Sequence, residues 1–156
     1  VREAIFNLLI NGGHGNPVAG ARVLDLFAGT GALGLEALSR GAAEVCFVDD
    51  GAKAQALIRA NVAKLRAEGE TRVLRHDATR LGANPGQPFS LVFLDPPYGK
   101  SLGEAALAAA LSGGWLAPGA MVVWEEGAAP LTPAGFEQAD QRKYGDTFVT
   151  LLRVAT

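Results

Sequence analysis

The stretch "VLDLFAGTGALGLEALSR", residues 23–40, does most to limit what this chain can fold into. An apolar run reaches Phe27 and breaks into Gly29-x-Gly31-x-x-Gly34, and a leucine- and alanine-rich segment follows. Glycines at this spacing allow a tight turn whose backbone can be approached closely, and the turn joins a strand to the start of a helix. A strand that feeds a helix in this way is the first half of a parallel crossover unit, so this stretch points to an α/β fold.

The rest of the chain repeats the alternation. "VREAIFNLLI" spaces Val1, Ala4, Ile5, Leu8 and Leu9 as an amphipathic helix. After the glycine turn, "AEVCFVDD" reads as a second strand, and 52–67 as a helix with Leu57, Ile58, Val62 and Leu65 on one face. "TRVLRHD" is a third strand, "SLVFLD" a fourth, 102–112 a helix, and "AMVVWEE" a fifth strand. Strands written as continuous apolar runs belong to a sheet covered on both faces. The tail departs from this pattern: 136–144 and 147–154 flank Gly145-Asp146, the two-residue spacing of a hairpin. The expected architecture is one domain over 1–156, Rossmann-like. It has a mostly parallel seven-stranded sheet, helices on both faces and a C-terminal antiparallel hairpin.

Apolar residues make up 49% of the chain and charged residues 19%, a globular balance. No apolar run approaches the roughly 18 residues of a membrane span, and no signal peptide is visible. The single Cys46 excludes an internal disulfide, so a reducing cytoplasm is the expected compartment. A net charge of −2 speaks against a general electrostatic nucleic-acid binder but leaves room for one local basic face. The chain begins at Val1, without Met and inside a helical pattern, so a segment upstream is expected. A monomer is the favoured assembly.

The glycine turn alone fits two cofactors. Asp49 follows Gly31 by 18 residues at the end of the next strand, which is also the dinucleotide arrangement of turn plus ribose-binding acid. Carboxylates break the tie. Asp25 lies near the end of the first strand, Asp49 ends the second, Asp77 the third and Asp95 the fourth. These ends converge on the ligand crevice of an open parallel sheet. Two dinucleotide phosphates would be repelled there, whereas S-adenosylmethionine (AdoMet) carries a sulfonium and an ammonium against one carboxylate. AdoMet is therefore expected over NAD(P). Phe27, Ala28, Gly29, Thr30 and Gly31 would pass close to it, and Asp49 with Asp50 would meet the ribose. Asp77 and Ala78 would lie near the adenine amine, and Asp25 would help hold the methionine ammonium.

Asp95-Pro96-Pro97-Tyr98 ends the fourth strand in a carboxylate, two prolines and a ring. An exocyclic base amine is a poor nucleophile because its lone pair is delocalised into the ring. Accepting both of its N–H bonds, at the Asp95 carboxylate and the Pro96 carbonyl, favours a pyramidal nitrogen with its lone pair directed outward. Pro96 and Pro97 fix the backbone and offer carbonyls without competing donors. Tyr98 supplies a face for an extruded base, a contact worth roughly 1–3 kcal/mol, against a few kcal/mol to unstack that base. The expected catalytic set is Asp95, Pro96, Pro97 and Tyr98, with Asp95 also bordering the cofactor.

The glycine turn, Asp49 and Asp95-Pro96-Pro97-Tyr98 together resemble the class I amino-methyltransferases of nucleic acids. "VREAIFNLL", "VLDLFAGTGALGLEALSRGA", "VFLDPPY" and "GWLAPGAMVVWE" are similar, across nearly the whole chain, to the bacterial 16S ribosomal RNA (guanine-N2)-methyltransferases of the RsmD type. The resemblance implies a class I methyltransferase fold and methyl transfer to N2 of one guanine. Its implied partner is 16S rRNA, within the 30S subunit or an assembly intermediate. It also implies a basic β-hairpin segment ahead of the "VRE" helix that this chain lacks, and Asp49-Asp50-Gly51 departs from the family's acid-x-acid spacing.

The residues themselves leave guanine N2 and adenine N6 open, since both are exocyclic amines. A sequence-reading DNA adenine methyltransferase is disfavoured, because the 63 residues between Gly31 and Asp95 are filled by two helices and two strands. An NAD(P) oxidoreductase and a non-enzymatic AdoMet-binding RNA scaffold are the alternatives of other classes. Arg2, Lys100, Arg142 and Lys143 are candidates for RNA phosphates. His14 and His76 lack metal-ligand partners at a useful spacing, so no metal is expected. Cys46, Trp115 and Trp124 read as core.

Overall fold

The computed structural model describes residues 1–155. In chain order these residues form α1 (Arg2–Asn11), β1 (Arg22–Leu26), α2 (Ala32–Ser39), β2 (Glu44–Asp49) and α3 (Ala52–Lys64). Then follow β3 (Thr71–Arg75), β4 (Phe89–Leu94), α4 (Leu102–Ser112), β5 (Leu116–Glu126), β6 (Phe136–Tyr144) and β7 (Thr147–Val154). The strands make one seven-stranded sheet in the order β3-β2-β1-β4-β5-β7-β6. β1 to β5 are parallel, whereas β7 runs antiparallel to β5 and β6 antiparallel to β7. The expected sheet, mostly parallel with helices on both faces and a C-terminal antiparallel hairpin, is the observed one, down to the Gly145-Asp146 turn, where Tyr144 pairs with Thr147.

Alternation along each buried strand divides the core between the two sheet faces. Val23, Val45, Phe47, Leu91, Phe93 and Val123 pack against α1, α2 and α3, where they meet Ile5, Phe6, Leu9, Leu35, Ile58 and Val62. Leu24, Leu26, Cys46, Val48, Val92, Leu94 and Trp124 point the other way and meet Ala106, Leu107 and Ala110 of α4. Both tryptophans and Cys46 are core residues, as the sequence suggests. Burial raises the Cys46 thiol to about 11, which keeps it protonated.

Helix α3 differs from expectation. Its buried stripe is Gln55, Ile58 and Val62, whereas Leu57 and Leu65 are exposed. Gln55 is buried because its amide donates to the carbonyls of Asp49 (2.8 Å) and Leu74 (3.0 Å), at the ends of two neighbouring strands. A polar side chain thus belongs to the buried stripe, and Leu57 and Leu65 do not.

Helices lie on both faces because the connection after β3 crosses to the far side of β1. β1 is therefore flanked by β2 and β4, and the loops leaving β1 and β4 at their carboxyl ends diverge. A cleft opens at such a reversal of strand order.

Candidate active site

A cavity of about 630 Å³ opens in that cleft, lined by Phe27, Asp49, Asp50, Asp77, Thr79, Asp95, Pro96, Pro97, Tyr98 and Leu102. These residues follow or end β1, β2, β3 and β4, so the four strand ends converge as expected.

The glycine turn is held by Asp49. One carboxylate oxygen accepts from the Gly29 N–H (3.0 Å) and the other from the Gly51 N–H (2.9 Å). The carboxylate therefore fixes the loop after β1 to the loop after β2 while facing the cavity. Gly29 and Gly31 have φ of 60° and 80°, a region where a Cβ is strained, so glycine suits this turn. A Cβ built at Gly29 would meet no atom within 4 Å: the turn leaves open space beside its backbone. Phe27 also adopts positive φ, 56°, the strained step that swings the chain out of β1 with its ring on the cavity wall. Asn61 of α3 donates to the Thr30 carbonyl at 2.9 Å, bracing the turn from the helix side.

Asp77 caps the short 3-10 turn Ala78–Arg80, accepting from the Thr79 N–H at 2.9 Å and its hydroxyl at 2.7 Å. These bonds hold its carboxyl below the usual range, so it is ionised on the cavity wall. Ala78 is buried beneath it.

Asp25 takes a different place from the one expected. It is 2% exposed, lies outside the cavity lining, and its carboxylate accepts from the Gly34 N–H at 3.1 Å. In β1 its side chain points under the first turn of α2, so it fastens strand to helix instead of facing the cavity. Burial foremost raises its pKa well above the ordinary value, with Asp95, Glu125 and Asp49 adding to the rise.

Asp95 opens into the cleft, yet the walls partly desolvate it, and its carboxyl is raised. Beside it stands a residue that the sequence reading passed over as the end of a strand. Leu94 of β4 pairs with Trp124 of β5, so Glu125 is the β5 counterpart of Asp95. Burial first, and then the Asp95 charge, push the Glu125 carboxyl up to about 7. Glu125 stands behind Asp95 and outside the cavity lining; Thr79 and Leu102 are the wall residues absent from the sequence-based set.

The candidate RNA contacts separate. Arg142 is bonded to Asp140 at 3.1 and 3.2 Å and lines a cleft beside α1. Arg2 faces Glu36 at 3.6 Å, and Lys143 lies over the Phe148 ring at 5.5 Å. Lys100 is exposed two residues after Tyr98. His14 is bonded to Asp140 at 3.0 Å. Among the described residues, no group of three or more His, Cys, Asp or Glu side chains is placed to hold a metal ion. None of their helices is long and apolar enough to cross a membrane.

Comparison with known proteins agrees with this geometry. The family described as "Conserved hypothetical protein 95" matches residues 1–153. The chain is 41% identical over 140 residues to ribosomal RNA small subunit methyltransferase D of Escherichia coli strain K12, covering 87% of this chain and 67% of the relative. The chain belongs to the RsmD methyltransferase family. The Haemophilus influenzae protein of the same name is 34% identical over 128 residues, 80% of this chain and 64% of its own length. The chain thus spans about two thirds of the length of these curated relatives. Among solved structures, yhhF from Escherichia coli superposes with a TM-score of 0.85 at 33% identity, covering 99% of this chain and 84% of that one. The fold is the Rossmann-like class I methyltransferase fold, with a cleft at the carboxyl ends of β1, β2, β3 and β4.

The cavity's chemistry can be tested against the cofactor of this fold. Its side-chain charges are four carboxylates, Asp49, Asp50, Asp77 and Asp95, with no Lys or Arg in the lining. Such a wall accepts hydrogen bonds from ribose hydroxyls and an amine, suits a net-positive ligand and repels a pyrophosphate. With the open space beside the Gly29 backbone, the residues present suit AdoMet better than a dinucleotide.

Proposed function

We propose that this chain transfers a methyl group from AdoMet to the exocyclic N2 of a guanine in small-subunit ribosomal RNA. One juxtaposition carries the proposal: Asp95-Pro96-Pro97-Tyr98 shares a single cavity with Asp49 and Asp77. An amine clamp and a ribose- and adenine-binding wall then serve one reaction. The names borne by the Escherichia coli and Haemophilus influenzae relatives support ribosomal RNA as the substrate. The choice of guanine N2 rests on the resemblance of the four motifs. The substrate form is 16S rRNA presented within the 30S subunit or an assembly intermediate.

When bound, AdoMet supplies an electrophilic methyl on a sulfonium, and the chain's residues supply orientation. Asp49, with both oxygens already fixed by backbone N–H groups, keeps lone pairs for the two ribose hydroxyls. Asp50 borders the same ribose, and Asp77 faces the adenine amine. On the other side, Asp95 and the Pro96 carbonyl accept the two N–H bonds of the target amine and direct its lone pair at the methyl carbon. The gain lies chiefly in holding the reacting atoms about 3–3.5 Å apart and in line. Tyr98, 46% exposed at the mouth, offers its ring to the extruded base, and Pro97 fixes the backbone between clamp and ring.

Calorimetry and single-turnover transfer test this reading together. AdoMet should bind and NADH should not. Asp95→Ala should lower the transfer rate by about 100-fold or more, the scale of losing an aligned polar contact in the transition state, with AdoMet affinity nearly unchanged. NADH binding more tightly than AdoMet would restore the oxidoreductase alternative. An Asp95→Ala variant as active as the parent would remove the clamp, and cofactor binding without any transfer would indicate a scaffold.

A further inference from the structure

Tyr98 reaches the cavity mouth from a short loop, which by itself would let the ring swing. Two distant residues meet it. The phenol oxygen lies 3.3 Å from the Thr147 hydroxyl, 49 residues away at the first position of β7. Gly127, directly after β5, lies against the Cδ2 side of the ring: a Cβ built there would stand 2.9 Å from Cδ2, 3.4 Å from Cγ and 3.6 Å from Cε2 of Tyr98. Gly127 is not among the glycines with positive φ, so a left-handed backbone is not what calls for glycine. Space for the ring is what calls for glycine here.

We propose that Gly127 and Thr147 are positioning residues that hold the Tyr98 ring as a fixed stacking platform. Gly127 leaves room for the Cδ2 side of the ring, and Thr147 anchors the phenol oxygen. The part of the ring that lines the cavity is left for the base. The inference rests on the base-stacking role assigned to Tyr98 above. It gives the antiparallel β6–β7 hairpin a part in substrate binding, since Thr147 closes the hairpin opposite Tyr144.

Steady-state methylation of 30S particles, varied in particle concentration, tests this. Gly127→Ala should raise KM for the particles and cut kcat/KM by about tenfold, as expected if most of the stacking contact is forfeited, while calorimetry shows AdoMet affinity unchanged. Thr147→Val should cost about two- to tenfold, the scale of one neutral hydrogen bond. In a Tyr98→Ala background Gly127→Ala should have no further effect, and in a Tyr98→Phe background neither should Thr147→Val. Effects of equal size in the presence and absence of the ring, or a Gly127→Ala variant as active as the parent, would overturn the proposal.

A second readout separates this failure from failure of the functional reading. The chain has two tyrosines, so 3-fluorotyrosine labelling gives two fluorine resonances, and Tyr98→Phe identifies one of them. Gly127→Ala should shift and broaden the Tyr98 line whether or not any RNA is methylated. An unmoved line means that Gly127 does not hold the ring. A moved line with a parent that methylates no RNA would refute the substrate reading alone.

Discussion

Glu125, coupled to Asp95 from beside the cleft, shows how a single side chain can set a pH dependence. Its folded-state value of about 7 stands above the ordinary 4.5, so between these values the folded chain binds a proton that the unfolded chain has released. Stability from this group is complete below the ordinary value and is lost as pH rises through the folded one. Glu125→Gln should therefore lose less melting temperature between pH 5 and pH 8 than the parent does; equal losses would show that Glu125 does not titrate as described. Because a cationic ligand favours the ionised carboxyl, AdoMet binding near pH 7 should also release protons. Calorimetry in buffers of different ionisation enthalpy should find that release reduced in Glu125→Gln.

Among elements, strands and helices were legible where burial follows a simple period. The β1, β2 and β4 runs and the Gly145-Asp146 turn were readable because each is written within a few consecutive residues. Helix α3 was read too generously. Leu57 and Leu65 are apolar and near the right spacing, but Gln55 takes the buried place because two strand-end carbonyls need its amide. Asp49 and Asp95 were legible from their places at strand ends. Glu125, Gly127 and Thr147 were not, since their part depends on which strands become neighbours.

Gly34 carries a prediction at this scale. A Cβ there would lie 2.6 Å from Phe47 Cε1 and 2.7 Å from Val45 Cγ1, so α2 packs on β2 only without a side chain. Gly34→Ala should destabilise the chain by about 1–3 kcal/mol, as overpacking does. Urea denaturation checks this, and a midpoint equal to the parent's would mean that the helix moves away without cost.

For the molecule as a whole, the proposed function makes charge decide how RNA would be held. The chain has 14 basic against 16 acidic residues, and of the cations around the clamp Arg142 is paired to Asp140 and Arg2 faces Glu36. Lys100, exposed beside the clamp, is the best placed. Lys100→Ala should make the salt dependence of RNA affinity shallower by roughly 0.7, the slope of one single-strand phosphate contact. Arg142→Ala should leave that slope nearly unchanged. The reverse order, measured by titration across a salt series, would move the RNA-binding face toward β6.

The nature of the methylated nucleoside tests the central claim most directly. Small-subunit particles lacking the modification would be incubated with this chain and labelled AdoMet, and the ribosomal RNA digested and resolved by nucleoside mass spectrometry. The predicted product is N2-methylguanosine, made by the parent and lost with Asp95→Ala. Label in N6-methyladenosine, or none in RNA under conditions where AdoMet binds, would contradict the assignment.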